Sequence, residues 1–161
     1  MSRRNATKLD GLMELLGRLK SVWASQGIEC GVPATQAELA EFEEHYRVCL
    51  PDDLREYFLR INGMARNKWW QWDEDLINFY PLAHLVRCDE ATGPTVRFIF
   101  ADHSISAHEY AVELLITAAP SPSGAIYAIG SGPVLIARTF SEFLTRYLNR
   151  DDGVLFGWVR D

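Results

Sequence analysis

Three features of the sequence predict a single α+β domain. Apolar residues recur at steps of three and four through much of the first 62 positions. Four short runs rich in Val, Ile, Phe and Tyr follow Pro94, and one more capped apolar period begins at Thr139. Helices, then strands, then a helix is the order of an antiparallel-rich mixed β-sheet flanked by N-terminal helices and closed by a C-terminal helix. A length of 161 residues, 48% hydrophobic and 24% charged, suits one ordinary globular core.

The first helix is predicted from about Thr7 to Ser25, where Leu9, Leu12, Leu16, Leu19 and Trp23 share one face and Gly27 supplies a stop. "GIECGVPA" reads as a connector. The second helix opens at "TQAE", a capping box in which Thr35 caps and Glu38 reaches back. Leu39, Phe42 and Tyr46 form its buried stripe, with Glu41, Glu43 and Glu44 outward. The third is "LPDDLREYFLRINGM". Pro51 suits a first turn that lacks an N–H partner, and Asp52 and Asp53 favour the positive end of the helix dipole. Leu54, Tyr57, Phe58 and Ile61 make one apolar face, and Gly63 can take the left-handed conformation that ends a helix.

"MARNKWWQWDEDLINFYPLAHL" then breaks the pattern, with three tryptophans in four positions followed by Asp73, Glu74 and Asp75. "TVRFIFADH", "YAVELLITA", "GAIYAIG" and "PVLIA" read as strands, with "SPSG" as a loop between neighbours. The last helix opens at "TFSE" and buries Phe140, Phe143, Leu144, Tyr147 and Leu148.

The composition excludes several classes. The longest apolar runs are far shorter than the ~20 residues of a spanning helix. Asp10, Glu14, Arg18 and Lys20 interrupt any secretory apolar region, so a cytoplasmic location is expected. Cys30, Cys49 and Cys88 are widely spaced without a CxxC pair, which reads as free thiols rather than a zinc site or disulfide framework. The net charge of −6 argues against nucleic acid as the main partner. The acid is concentrated in residues 35–75, with ten acidic against five basic side chains. A solvated helix face explains this; an acidic surface for a basic partner is the sharper reading.

The residues as a set resemble a known family. "AELAEFEEHYRVCLPDDLREYFLRINGM", the aromatic loop after it and "INFYPLAHL" are similar to the start of SUKH superfamily domains, related to the Smi/Knr cell-wall-assembly regulators. "FIFADHSISAHEYAVEL", "GAIYAIG" and "TFSEFLTRYL" follow that family's strand, strand and closing-helix order. The resemblance covers about Thr35 to Leu148, so residues 1–161 are expected to form one SUKH-like domain with residues 1–34 as a helical extension. It implies a non-enzymatic protein-binding domain. Many bacterial members are immunity proteins that neutralise polymorphic toxins, often nucleases; eukaryotic members serve as regulatory scaffolds. With no long arms flanking the core, the immunity reading is expected to fit this chain, and a Smi/Knr-type scaffold assembling other cellular proteins is the alternative. The resemblance transfers no specific contact. It also implies that Leu50, Pro51, Tyr57, Phe58, Asn62 and Gly63 mainly build the fold, as their packing and capping roles already suggest.

Catalytic equipment is not evident. Asp102, His103, His108 and Glu109 in "ADHSISAHEY" are metal-capable, yet the His–His spacing of five misses the i, i+4 of a helix face, and hairpin polar residues explain them. "IGSGP" lacks GxSxG, and no GxxxxGK[ST] loop occurs. No metal or cofactor is expected. The candidate site is partner-binding: Trp69, Trp70, Trp72, Asp73, Glu74 and Asp75. Tryptophan buries much area at small entropic cost, and the acids would complement a basic toxin domain such as a nuclease. Three tryptophans so close cannot all face one way, so at least one is expected to pack inward.

Overall fold

The computed structural model describes residues 3–66, 70–88, 93–105, 107–117, 124–130 and 132–155. Three helices come first: α1 (Arg3–Ser25), α2 (Gln36–Tyr46) and α3 (Asp52–Arg60). Strands β1 (Ile77–Phe79), β2 (Val86–Cys88), β3 (Thr95–His103), β4 (His108–Leu115), β5 (Ala125–Ile129) and β6 (Val134–Ala137) follow, then α4 (Phe140–Leu148) and the short α5 (Asp152–Leu155). The fold is the α+β class the sequence predicts. Every strand ladder among the described residues is antiparallel, in the order β1-β3-β4-β5-β6 with β2 also on β3. No described helix is long and apolar enough to cross a membrane.

Strand β3 organises the sheet. Its first half pairs with β2 and its second half with β1, and a bulge at Phe100 separates the two registers. The two short strands therefore share one edge of β3. One face of the sheet packs under the helices, where Phe98, Phe100, Val112 and Ile126 meet Leu19 and Trp23 of α1, Leu39 of α2, Tyr57 and Phe58 of α3, and Phe140 and Phe143 of α4.

The caps form where the residue types call for them. Thr35 Oγ1 accepts from the Glu38 amide at 3.1 Å, and Thr139 Oγ1 from the Glu142 amide at 3.0 Å. The "LRINGM" stop has a larger role. Asn62 donates through Nδ2 to the Val32 carbonyl at 2.7 Å and accepts at Oδ1 from the Leu82 amide at 2.8 Å. Gly63 has φ 69°, and a Cβ there would stand 2.6 Å from the Tyr80 carbonyl carbon, so only glycine fits. Asn62-Gly63 thus locks the connector after α1, the end of α3 and the turn at Pro81-Leu82 together. Leu50, Tyr57 and Phe58 are fully buried, in keeping with a fold-building helix.

Four details differ from the sequence reading. Helix α1 begins at Arg3, and Thr7 bonds back to the Arg3 carbonyl inside the helix rather than near its start. Leu9 is 40% exposed, because the buried stripe starts at Leu12. Glu43 turns inward, accepting from the Leu50 amide at 2.8 Å and from Arg55 Nη2 at 2.6 Å. Burial pushes its carboxyl up, but these bonds outweigh burial and leave it below the ordinary carboxylate value. Finally β1, β2 and α5, each of three or four residues, carry too little sequence for a period to register. Cys30, Cys49 and Cys88 are half-buried thiols outside any disulfide.

Candidate functional site

The segment between α3 and β1 is pinned before it is displayed. Gln71 accepts from the Glu29 amide at 2.9 Å and donates to the Glu29 and Ala65 carbonyls, each at 2.9 Å. Beside this staple Trp70 stands 47% exposed. Its ring lies 4.1 Å from the Arg66 guanidinium carbon, which is also 4.9 Å from the Tyr80 ring. Cation–π contact on both rings fixes the indole without covering it. Trp72 is half-buried and its Nε1 has no partner among the described residues. Of the predicted tryptophans, Trp70 faces outward and Trp72 packs partly inward; Trp69 lies outside the described residues.

The three acids separate. Asp73 is only 5% exposed. Its Oδ1 accepts from the Asp75 and Ile77 amides at 2.9 Å, closing the turn into β1. Its Oδ2 accepts from the Tyr147 hydroxyl, which in turn accepts from Trp23 Nε1 at 3.1 Å. Burial pushes the Asp73 carboxyl up, partly opposed by the Tyr147 and amide bonds. Glu74 and Asp75 remain at the surface, where both hold Arg150, with Nη2 of Arg150 2.8 Å from Asp75 Oδ1. The predicted acidic triad is therefore one buried turn-former and a two-carboxylate clamp on a cation.

Next to Trp70 lies the face of the sheet opposite the one under the helices, against which no described α-helix residue packs. Its small cluster of Tyr80, Ile99 and Ala111, with Leu85, Cys88 and Ile129 against it, contains no α-helical residue. Register places Val86, Ile99, Ala111, Tyr127 and Leu135 in one row across five strands. Val86 is 49% and Leu135 52% exposed at the two ends of that row. On one side runs the pair Arg97–Glu113 at 2.9 Å, with the Arg97 guanidinium 4.3 Å from the Tyr127 ring. On the other side Asp102 sits directly opposite Glu109. Tyr80 donates to Asp102 Oδ2 at 2.6 Å. Burial, and then the charge of Asp102, push the Glu109 carboxyl up.

The hairpin around "ADHSISAHEY" joins β3 to β4, with His103 opposite His108 and Ser104 and Ile105 in left-handed backbone. Burial and the neighbouring His103 hold His108 below the ordinary imidazole value. Among the described residues no group of three or more His, Cys, Asp or Glu is arranged to hold a metal ion. Sequence reasoning missed the roles of Arg66, Tyr127 and Leu135 on this face and of the buried Tyr80 and half-buried Glu109 beside them. The alternation Glu109, Ala111, Glu113 along β4 is a signal for one shared face; which elements pack against that face is not legible locally.

Residues 33–146 match the family model described as SMI1 / KNR4 family (SUKH-1). That span runs from just before α2 to the last turn of α4. No curated protein matches the chain.

Proposed function

Because the chain belongs to the SMI1 / KNR4 family (SUKH-1), we propose that it is a non-enzymatic protein-binding domain, and specifically a cytoplasmic immunity protein that neutralises a cognate bacterial toxin. The observation that carries the reading is Trp70, a large aromatic half exposed yet held in place by Arg66 and Tyr80. A pre-positioned tryptophan loses little entropy on binding and is the side chain most enriched among binding hot spots. Trp69, Trp70, Trp72, Glu74 and Asp75 form the proposed contact set, with Asp73 holding their turn from beneath.

The partner is a basic toxin domain, a nuclease being the chemistry that best matches an acidic chain. A net charge of −6 speeds its approach, and the anchored aromatic slows its departure. Bound over the toxin's active site, the domain inhibits by occlusion or distortion and needs no chemistry of its own.

Capture with the tagged chain from its native lysate, washed at low and high salt and read by mass spectrometry, tests the reading. One dominant, salt-sensitive partner with a basic toxin-like domain is the expected result. Several weak housekeeping partners would replace it with the regulatory scaffold.

A further inference from the structure

Among the described residues the sheet has three outer strands, and each margin is closed differently. Beside β1 the main chain does it: the Ile77 and Phe79 carbonyls accept from the Asp73 and Met64 amides, each at 3.0 Å, and the Ile77 amide donates to Asp73 Oδ1. Strand β2 is only three residues long and carries Arg87, a length and a charge that offer an added strand little. Strand β6 is different. It ends the strand order, Val134, Leu135, Ile136 and Ala137 are all apolar, and Leu135 is 52% exposed. An edge of that composition is a template on which another chain can add a strand.

Side chains of α4 stand where that strand would be. Arg146 Nη1 donates to the Ile136 carbonyl at 2.9 Å, and Glu142 Oε2 accepts from the Arg138 amide at 2.9 Å. A carbonyl and the amide two residues further on are the pair of groups that a neighbouring strand engages. The two side chains are joined to each other as well, with Arg146 Nη2 3.0 Å from Glu142 Oε1. The register with β5 passes over Ile136, the bulged residue whose carbonyl Arg146 takes. Helix capping alone does not call for this arrangement. Thr139 already caps α4, and in a capping box the glutamate would return to the Thr139 amide; here it reaches past it to Arg138.

We infer that Glu142 and Arg146 form a strap across the edge of β6 that stops a second copy of this chain from adding its own β6 there. The excluded occupant is the identical strand, because an uncharged apolar edge is complementary to itself and meets no repulsion from its copy. The strap is partly exposed, with 36% of Glu142 and 41% of Arg146 open to solvent, so removing it leaves the core in place. The inference is independent of the toxin reading.

The test is sedimentation of the full chain with amide exchange read by mass spectrometry. The unsubstituted chain is expected to sediment as a monomer. Glu142→Ala with Arg146→Ala should raise the weight-average mass at least about 1.5-fold at about 100 µM chain and slow exchange in β6. Adding Leu135→Lys to that pair should restore the monomer, since a lysine on the edge repels its copy. Glu142→Gln with Arg146→Lys keeps one acceptor and one donor and should remain monomeric. Where the alanine pair does not melt cooperatively, Glu142→Arg with Arg146→Glu carries the same expectation: it keeps an ion pair on the helix but offers neither strand group its partner. A merely structural pair would lower Tm without changing the mass. A cooperatively melting alanine or exchanged pair that stays monomeric, an association that survives Leu135→Lys, a Gln/Lys pair that associates as strongly as the alanine pair, or an unsubstituted chain already paired through β6 would each overturn the inference.

Discussion

Replacing Tyr147 by Phe removes one oxygen from the middle of a buried chain of hydrogen bonds. The ring keeps its place against Phe79, 5.0 Å away between centroids, so no cavity of consequence opens. What changes is that Asp73 Oδ2 loses its donor and Trp23 Nε1 its acceptor. A buried carboxylate oxygen and a buried indole N–H left unpaired cost about 3 kcal/mol together, the charged group taking the larger share. For a chain of this size that is a fall in Tm of roughly 6–12 °C. Urea denaturation should show the midpoint falling with the slope unchanged, because the surface exposed on unfolding is the same. The loss should also depend on pH. Burial already pushes Asp73 up, and without the Tyr147 bond its folded-state pKa rises further. A raised carboxyl favours folding most where it is protonated, below the unfolded value, and that advantage is lost as pH rises through the folded value. The deficit of Tyr147→Phe should therefore be largest at neutral pH and shrink on acidification. A loss under about 0.5 kcal/mol, or a deficit that grows toward acid, would refute a buried ionised Asp73 held by Tyr147. Full additivity with Asp73→Asn would refute the coupling itself.

Three further substitutions follow from the geometry. Glu43→Gln should cost about 1–2 kcal/mol at pH 7, because it removes the charge facing Arg55 and leaves one acceptor oxygen for the two donors, Arg55 and the Leu50 amide. The Glu43 folded value is depressed, so its contribution is present above the ordinary carboxylate value and lost as pH falls below it; chemical denaturation of both proteins should converge there. Gly63→Ala should prevent accumulation of folded protein, because its Cβ would meet backbone at 2.6 Å, whereas Gly27→Ala, at φ 72° with nothing within 4 Å, should cost only about 1 kcal/mol; circular dichroism melts separate the two. Trp70→Ala should leave Tm within about 2 °C, the lost contact with Arg66 being a surface one, yet weaken a captured partner by about 30-fold or more in calorimetry.

Long, capped and periodic elements were legible from residues alone. Helix α3 announces itself by Pro51, its acidic first turn, its apolar face and Gly63, and β3 falls on "TVRFIFADH" without adjustment. Legibility ends where a role depends on a distant partner. Asp73, Glu74 and Asp75 are nearly identical in type, and nothing local separates the buried one from the two at the surface. The difference is made by Tyr147, 74 positions away, and by Arg150. Glu43 likewise looks outward until α3 brings Arg55 to it across 12 positions. Strands β1 and β2 are each three residues long and exist because β3 offers an edge to both, a fact of the sheet rather than of their own residues.

The Trp23–Tyr147 bond joins residues 124 positions apart, one on α1 and the other on α4, which pack against each other. During synthesis α1 leaves the ribosome first. At ~5–20 residues per second its partner helix follows roughly 6–25 seconds later. Throughout that interval the stripe of Leu12, Leu16, Leu19 and Trp23 has no α4 to close against it. Chains interrupted before residue 140 therefore present a sticky amphipathic helix, and this part of the core closes late, when α4 arrives. Within the cell, the vulnerable period of this molecule is its own translation.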